Sequence, residues 1–111
     1  MLPEIVDAIG GKARIVLDGG IVRGSDVVKA LALGADVVAV GKLQGWGLAA
    51  GGTEGVVRTL EILEDEILSA MALLGVNSIG ELSRDYVERA DPVAAPHEMS
   101  AWVNLPGERV L

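Results

Sequence analysis

Two short tracts of this chain carry the residue types that hold a phosphate. The first is Asp18-Gly19-Gly20, directly after the apolar run Ile15-Val16-Leu17, continuing as Ile21-Val22-Arg23-Gly24-Ser25-Asp26. The second is Gly41-Lys42, directly after Val37-Val38-Ala39-Val40. A phosphate takes backbone N–H donors, the positive end of a helix dipole and usually a cation. Gly19, Gly20 and Gly41 let the backbone approach an anion closely, and Lys42 supplies positive charge. Asp18, an acceptor when ionised, suits ligand hydroxyls or loop N–H groups rather than the phosphate itself. A Gly-Gly pair after a strand is also an ordinary turn, and a lone Gly-Lys is an ordinary surface dipeptide. The case for phosphate rests on two such exits, on consecutive strands, about one βα unit apart.

The elements that must position these exits can be read from the pattern. A helix over Pro3 to Ile9 starts near a proline and closes at Gly10-Gly11. The two apolar runs are continuous rather than alternating, which predicts parallel strands buried on both faces. Between them a helix runs through Val27, Val28, Ala30, Leu31 and Leu33, capped by Gly24 or Ser25 and ended by Gly34. A short, glycine-loosened helix from about Gln44, across Trp46 to Ala50, stands where many barrels place an extra phosphate-binding helix. From Glu54 onward Val56, Leu60, Leu63, Ile67, Met71 and Leu74 form one helical stripe, stopped at Gly75. Ser78 and Glu81 predict a capping box, and Asp85 to Arg89 a further turn. Pro92, Pro96 and Pro106 predict an extended tail over 91–111, with Trp102, Val103 and Leu105 as apolar anchors. The expected fold is therefore α/β, the last quarter of a (β/α)8 TIM barrel, over residues 1–90. Its two parallel strands and their helices would need another chain to complete the barrel.

Composition narrows the reading. The chain has 111 residues, against roughly 250 for a complete barrel. With no cysteine, disulfides and thiolate metal sites are excluded, no metal is expected, and a reducing compartment such as the cytoplasm is the expected location. No apolar run approaches the ~18 residues of a membrane helix, and the start lacks the basic residues of a signal peptide. The net charge is −7, with five basic and five acidic residues up to position 52 but four against eleven after it. So acidic a chain is a poor match for nucleic acid or an anionic membrane.

With these motifs in place, the chain resembles the FMN-dependent α-hydroxy acid oxidases and dehydrogenases, which include glycolate oxidase, lactate oxidase and mandelate dehydrogenase. The resemblance spans about Pro3 to Tyr86. It is carried by Asp18-Gly19-Gly20-Ile21, by Arg23 through Ala35, by Val40-Gly41-Lys42, by Trp46 through Gly52, by Gly55-Val56 and by Glu66 through Gly75. It implies a TIM barrel with FMN at the C-terminal face of the strands. By position, Asp18, Gly19, Gly20, Gly41 and Lys42 would lie at the phosphate and ribityl end of FMN. Two departures alter that corner. Relatives usually carry Arg-Arg where this chain has Val22-Arg23, and Arg where it has Lys42. Lysine keeps the charge but loses the bidentate fork. Arg23 is the candidate to compensate for Val22, although the neighbouring position should point elsewhere.

The resemblance also implies what is missing. The family's catalytic histidine and a partner arginine stand in a His-Gly-Gly-Arg-like segment upstream of the matched region, and no catalytic residue has a match here. His97, the one histidine, lies in the tail outside the motif. The expectation is a small subunit or C-terminal fragment of a split enzyme, a natural short polypeptide being favoured because Met1 stands just ahead of the matched region, with a larger partner chain that supplies the first six strands and the catalytic His and Arg. Together they would oxidise a 2-hydroxy acid to a 2-oxo acid on FMN. The alternative is a non-catalytic phosphate- or flavin-binding assembly module that closes a barrel as a homo-oligomer.

Overall fold

A computed structural model describes residues 1–89. The expected tail over 91–111, with His97 and Trp102, lies outside the described residues. In order come α1 (Leu2–Ile9), β1 (Val16–Asp18), α2 (Gly24–Ala32), β2 (Val37–Ala39) and α3 (Lys42–Leu74), then 3-10 turns at Ile79–Glu81 and Arg84–Tyr86. β1 and β2 pair in parallel, with Val16 opposite Val37, Leu17 opposite Val38 and Asp18 opposite Ala39. Parallel neighbours need a crossover, and α2 is that crossover.

Each boundary has a local cause. α1 carries a proline in its first turn and ends at Gly10, whose left-handed φ of 54° lets its N–H return to the Val6 carbonyl. α2 starts differently from the expectation. Arg23, rather than Gly24 or Ser25, is its N-cap. The reason is Asp26, whose Oδ2 accepts from the backbone N–H of Arg23 at 3.0 Å and of Val22 at 3.2 Å. A carboxylate three residues into the helix here satisfies donors that the capping side chain does not. After α3, Glu81 likewise accepts from the Asn77 N–H and the Ser78 hydroxyl, and one 3-10 turn forms where the capping box was expected.

α3 is two helices joined at a break. Gly51 (φ −152°, ψ 22°) and Gly52 (φ 60°, ψ −141°) leave helical geometry, which separates the expected short helix, 42–50, from the long one, 53–74. The arms then meet at two glycines. A Cβ on Gly55 would overlap the Gly47 carbonyl, and one on Gly47 would collide with the Thr59 hydroxyl. Gly47→Ala or Gly55→Ala should therefore force the arms apart and cost about 1–3 kcal/mol, as overpacking generally does. Equilibrium urea unfolding would read this as a lower midpoint, and an unchanged midpoint would mean that the arms do not touch there.

The core lies between α2 and the second arm of α3, where Val28, Met71 and Val76 are buried and Ile67, Ala70 and Leu82 close around them. Val38 and Val40 look across a groove at Leu60, Leu63 and Ile67 on α3. The opposite face of the sheet is bare. Val16 is 59% exposed and Val37 46%, where the sequence pattern predicts burial. The difference is physical: two strands have two faces, and among the described residues the helices cover only one.

Arg84 ties the C-terminal turn to α1 through two bonds to Asp7, the shorter 2.8 Å, and a third to the Pro3 carbonyl. The Arg84 hydrogen bond holds the Asp7 carboxyl below its ordinary value, with attraction between the charges adding to it against desolvation. Asp7 thus stays ionised in the folded chain at a pH where the unfolded chain is already protonated. Its stabilising contribution is complete above the ordinary aspartate range and is lost as pH falls through the lowered folded value. Both groups are solvent-exposed, so the effect is small. Comparing acid unfolding of the wild type with Asp7→Asn isolates it, because the Arg84 bond to the Pro3 carbonyl is retained: the two curves should converge at low pH and separate above the aspartate range.

Candidate functional site

The strand register brings the two glycine exits together. Asp18 and Ala39 are the last paired residues, so Gly20 and Gly41 each stand two positions beyond them on one edge of the sheet. Gly19 and Gly20 have φ of 96° and 76°, in the left-handed region that favours glycine. Beyond the adjoining residues, no described atom lies within 4 Å of where a Cβ on either would stand. The chain therefore turns sharply and leaves room for something outside itself. Gly41 is more telling. Its φ is −100° and nothing lies within 4 Å of a Cβ there, so neither its conformation nor its described neighbours require glycine. Close approach of a ligand would.

Gly41 is also the N-cap of α3, and Lys42 is the first residue of that helix. The opening N–H groups of α3 thus lie at the second exit, beside a cation. Asp18 is exposed at the end of β1, on the same face as Val16 by strand alternation. This is a donor-rich edge with one carboxylate beside it, chemistry that fits the phosphate and hydroxyl-bearing chain of a nucleotide-like cofactor. Among the described residues, no group of three side chains able to bind a metal is clustered.

The start of α2, by contrast, is already filled by carboxylates. Asp26 takes the N–H groups of Val22 and Arg23, and Glu66 of α3 accepts from the Gly24 N–H at 2.7 Å. The other Glu66 oxygen lies 2.7 Å from Arg23 Nη2. Arg23, a candidate cofactor-binding residue, thus reaches Glu66 on α3. Val22 itself is half-buried, with its N–H held by Asp26. Sequence reasoning assigned no role to Glu66 or Asp26. For Asp26 the signal was present, an acid in the first turn of a helix. For Glu66 it was faint, a carboxylate flanking an apolar stripe.

The model of the FMN-dependent dehydrogenase family matches residues 1–89. The chain belongs to this family. It is 46% identical over 86 residues to the L-lactate oxidase of Nostoc sp., covering 78% of this chain and 24% of that protein. It is 49% identical over 94 residues to human 2-hydroxyacid oxidase 1, covering 85% and 25% respectively. Among solved structures, (S)-mandelate dehydrogenase, a monotopic membrane protein, superposes with a TM-score of 0.75 at 41% identity, over 79% of this chain and 23% of that one. A mandelate oxidase variant superposes with a TM-score of 0.72 at 49% identity, over 76% and 26%. The chain therefore spans about a quarter of the length of the curated relatives it matches. Its two parallel strands and helices correspond to part of an FMN-dependent TIM-barrel enzyme. Among the described residues, no helix is long and apolar enough to cross a membrane.

Proposed function

We propose that this chain is the FMN phosphate-binding corner of a split 2-hydroxy acid oxidase or dehydrogenase. Its strands are the last two of the barrel, and a larger polypeptide supplies the first six, with the catalytic histidine and arginine. The observation that carries the reading is the juxtaposition of the two exits: Gly41 caps α3 beside Lys42, next to the left-handed Gly19-Gly20 pair at the end of the neighbouring strand. In the assembled enzyme the Gly19, Gly20 and Gly41 backbone and the Lys42 ammonium hold the phosphate. Asp18 accepts hydrogen bonds from cofactor hydroxyls. The family's cofactor, when bound, supplies the redox chemistry that takes a 2-hydroxy acid to a 2-oxo acid. Residues 1–89 contain no histidine, so in this reading the base that receives the substrate proton comes from the partner. The bare face at Val16 and Val37 supports the need for that partner, since continuously apolar parallel strands are normally covered on both sides.

Affinity purification of the chain from cells that produce it tests the proposal. The expected result is a yellow complex containing a second polypeptide with a His-Gly-Gly-Arg-like segment, which oxidises a 2-hydroxy acid. A colourless homo-oligomer of the chain by native mass would favour the assembly module instead.

A further inference from the structure

Glu66 connects the two strand exits by a route that bypasses the sheet. α3 begins at the second exit with Lys42, and the Gly47–Gly55 contact locks its first arm onto its second. The second arm carries Glu66 back to the start of α2, where its two carboxylate oxygens take the Gly24 N–H and the Arg23 guanidinium, each at 2.7 Å. The Glu66 side chain is 24% exposed and Gly24 is buried, so their bond is partly shielded and charge-assisted, whereas Arg23, 70% exposed, meets Glu66 from the surface. The backbones themselves are in close contact. A Cβ on Gly24 would stand 2.5 Å from the Ile67 nitrogen and 2.7 Å from the Glu66 carbonyl carbon. The Gly19–Val22 turn is thereby fixed at both ends, by the sheet at Asp18 and by Glu66 at Gly24. With Asp26, Glu66 occupies the N–H groups at the start of α2, and each carboxylate is paired with a cation, Glu66 with Arg23 and Asp26 with Lys29. The N–H groups left for a phosphate are those at the glycine exits and the start of α3.

We infer that Glu66 is a positioning residue for the phosphate corner, setting the first exit relative to the second through Gly24 and Arg23. This rests on the FMN reading above. The test compares the affinities of FMN and riboflavin, which lacks the phosphate, for the assembled protein. A merely structural residue would weaken both flavins alike, whereas a positioning residue for the phosphate changes their ratio. Glu66→Ala should lower the FMN-to-riboflavin affinity ratio about tenfold, and Glu66→Gln about threefold, because the amide oxygen still accepts from Gly24 but no longer attracts Arg23. Should Glu66→Ala not fold, the nearly isosteric Glu66→Gln carries the same comparison. A wild-type preference for FMN that survives in folded Glu66 variants overturns this inference alone. A wild type that does not prefer FMN to riboflavin overturns the FMN reading and this inference with it.

Discussion

In the proposed assembled enzyme, Lys42→Glu is expected to strip FMN while leaving riboflavin affinity nearly unchanged. A charge-assisted hydrogen bond contributes about 1.5–3 kcal/mol, so its loss alone weakens binding by roughly 10- to 150-fold. Reversal of the charge at the start of α3 adds repulsion between a carboxylate and the phosphate. Flavin fluorescence titration at low and moderate salt would measure the loss, which should shrink as salt screens the repulsion. The converse change is Val22→Arg, which adds a charge where the family resemblance places an arginine. The Val22 N–H is engaged by Asp26, but its side chain is only half-buried. The substitution should tighten FMN about tenfold, the lower end of what one such bond contributes. If Lys42→Glu retained FMN as well as the wild type does, the phosphate would have to bind elsewhere.

The second large effect is expected on assembly. Val16 and Val37 face each other across the parallel pair on the uncovered side of the sheet. In the proposed enzyme that side faces the barrel interior, which is filled by side chains rather than water. Val16→Lys should hardly disturb the chain by itself, because the side chain is 59% exposed and surface substitutions usually fall within about 0.5 kcal/mol. In the complex the same ammonium would be buried without a partner, at a cost of several kcal/mol. Co-purification with the larger polypeptide should fall more than about a hundredfold by that measure. Unfolding of the isolated chain and recovery of the complex, measured together, separate the two effects. A complex that tolerated lysine at this position would show that the bare face is not the barrel interior.

Much of the architecture was legible along the chain because its signals are local. Gly10, Gly34 and Gly75 mark helix ends at which the chain passes through left-handed geometry, and such geometry selects glycine within a few residues of the boundary. The strand runs and α2 stood out by the change from continuous apolar residues to helical spacing. The break at Gly51-Gly52 was anticipated for the same reason, since paired glycines weaken a helix wherever they stand. The two exits were legible as motifs, and the parallel register then set them side by side.

What escaped the sequence involves residues far apart in it. Gly24 and Glu66 are 42 positions apart, and no periodicity links them. Gly47 reads as a sign of a loose helix and Gly55 only as part of the family resemblance, yet they are where two helix arms pack closely enough to exclude a Cβ. The cap of α2 was misplaced because Arg23 lacks the usual capping side chain, and Asp26 reaches back to do the work from inside the helix. Apolar composition states that both strand faces need cover, whereas which face has it in this chain depends on the neighbours present. The residue order alone thus determined the elements, their glycine-marked ends and the two strand exits, all governed by backbone conformation within a few positions. Only the folded chain decided that Arg23 turns to Glu66, that α3 folds back on itself and that, among the described residues, one face of the sheet stays open, because such contacts depend on distances in space that no spacing along the chain encodes.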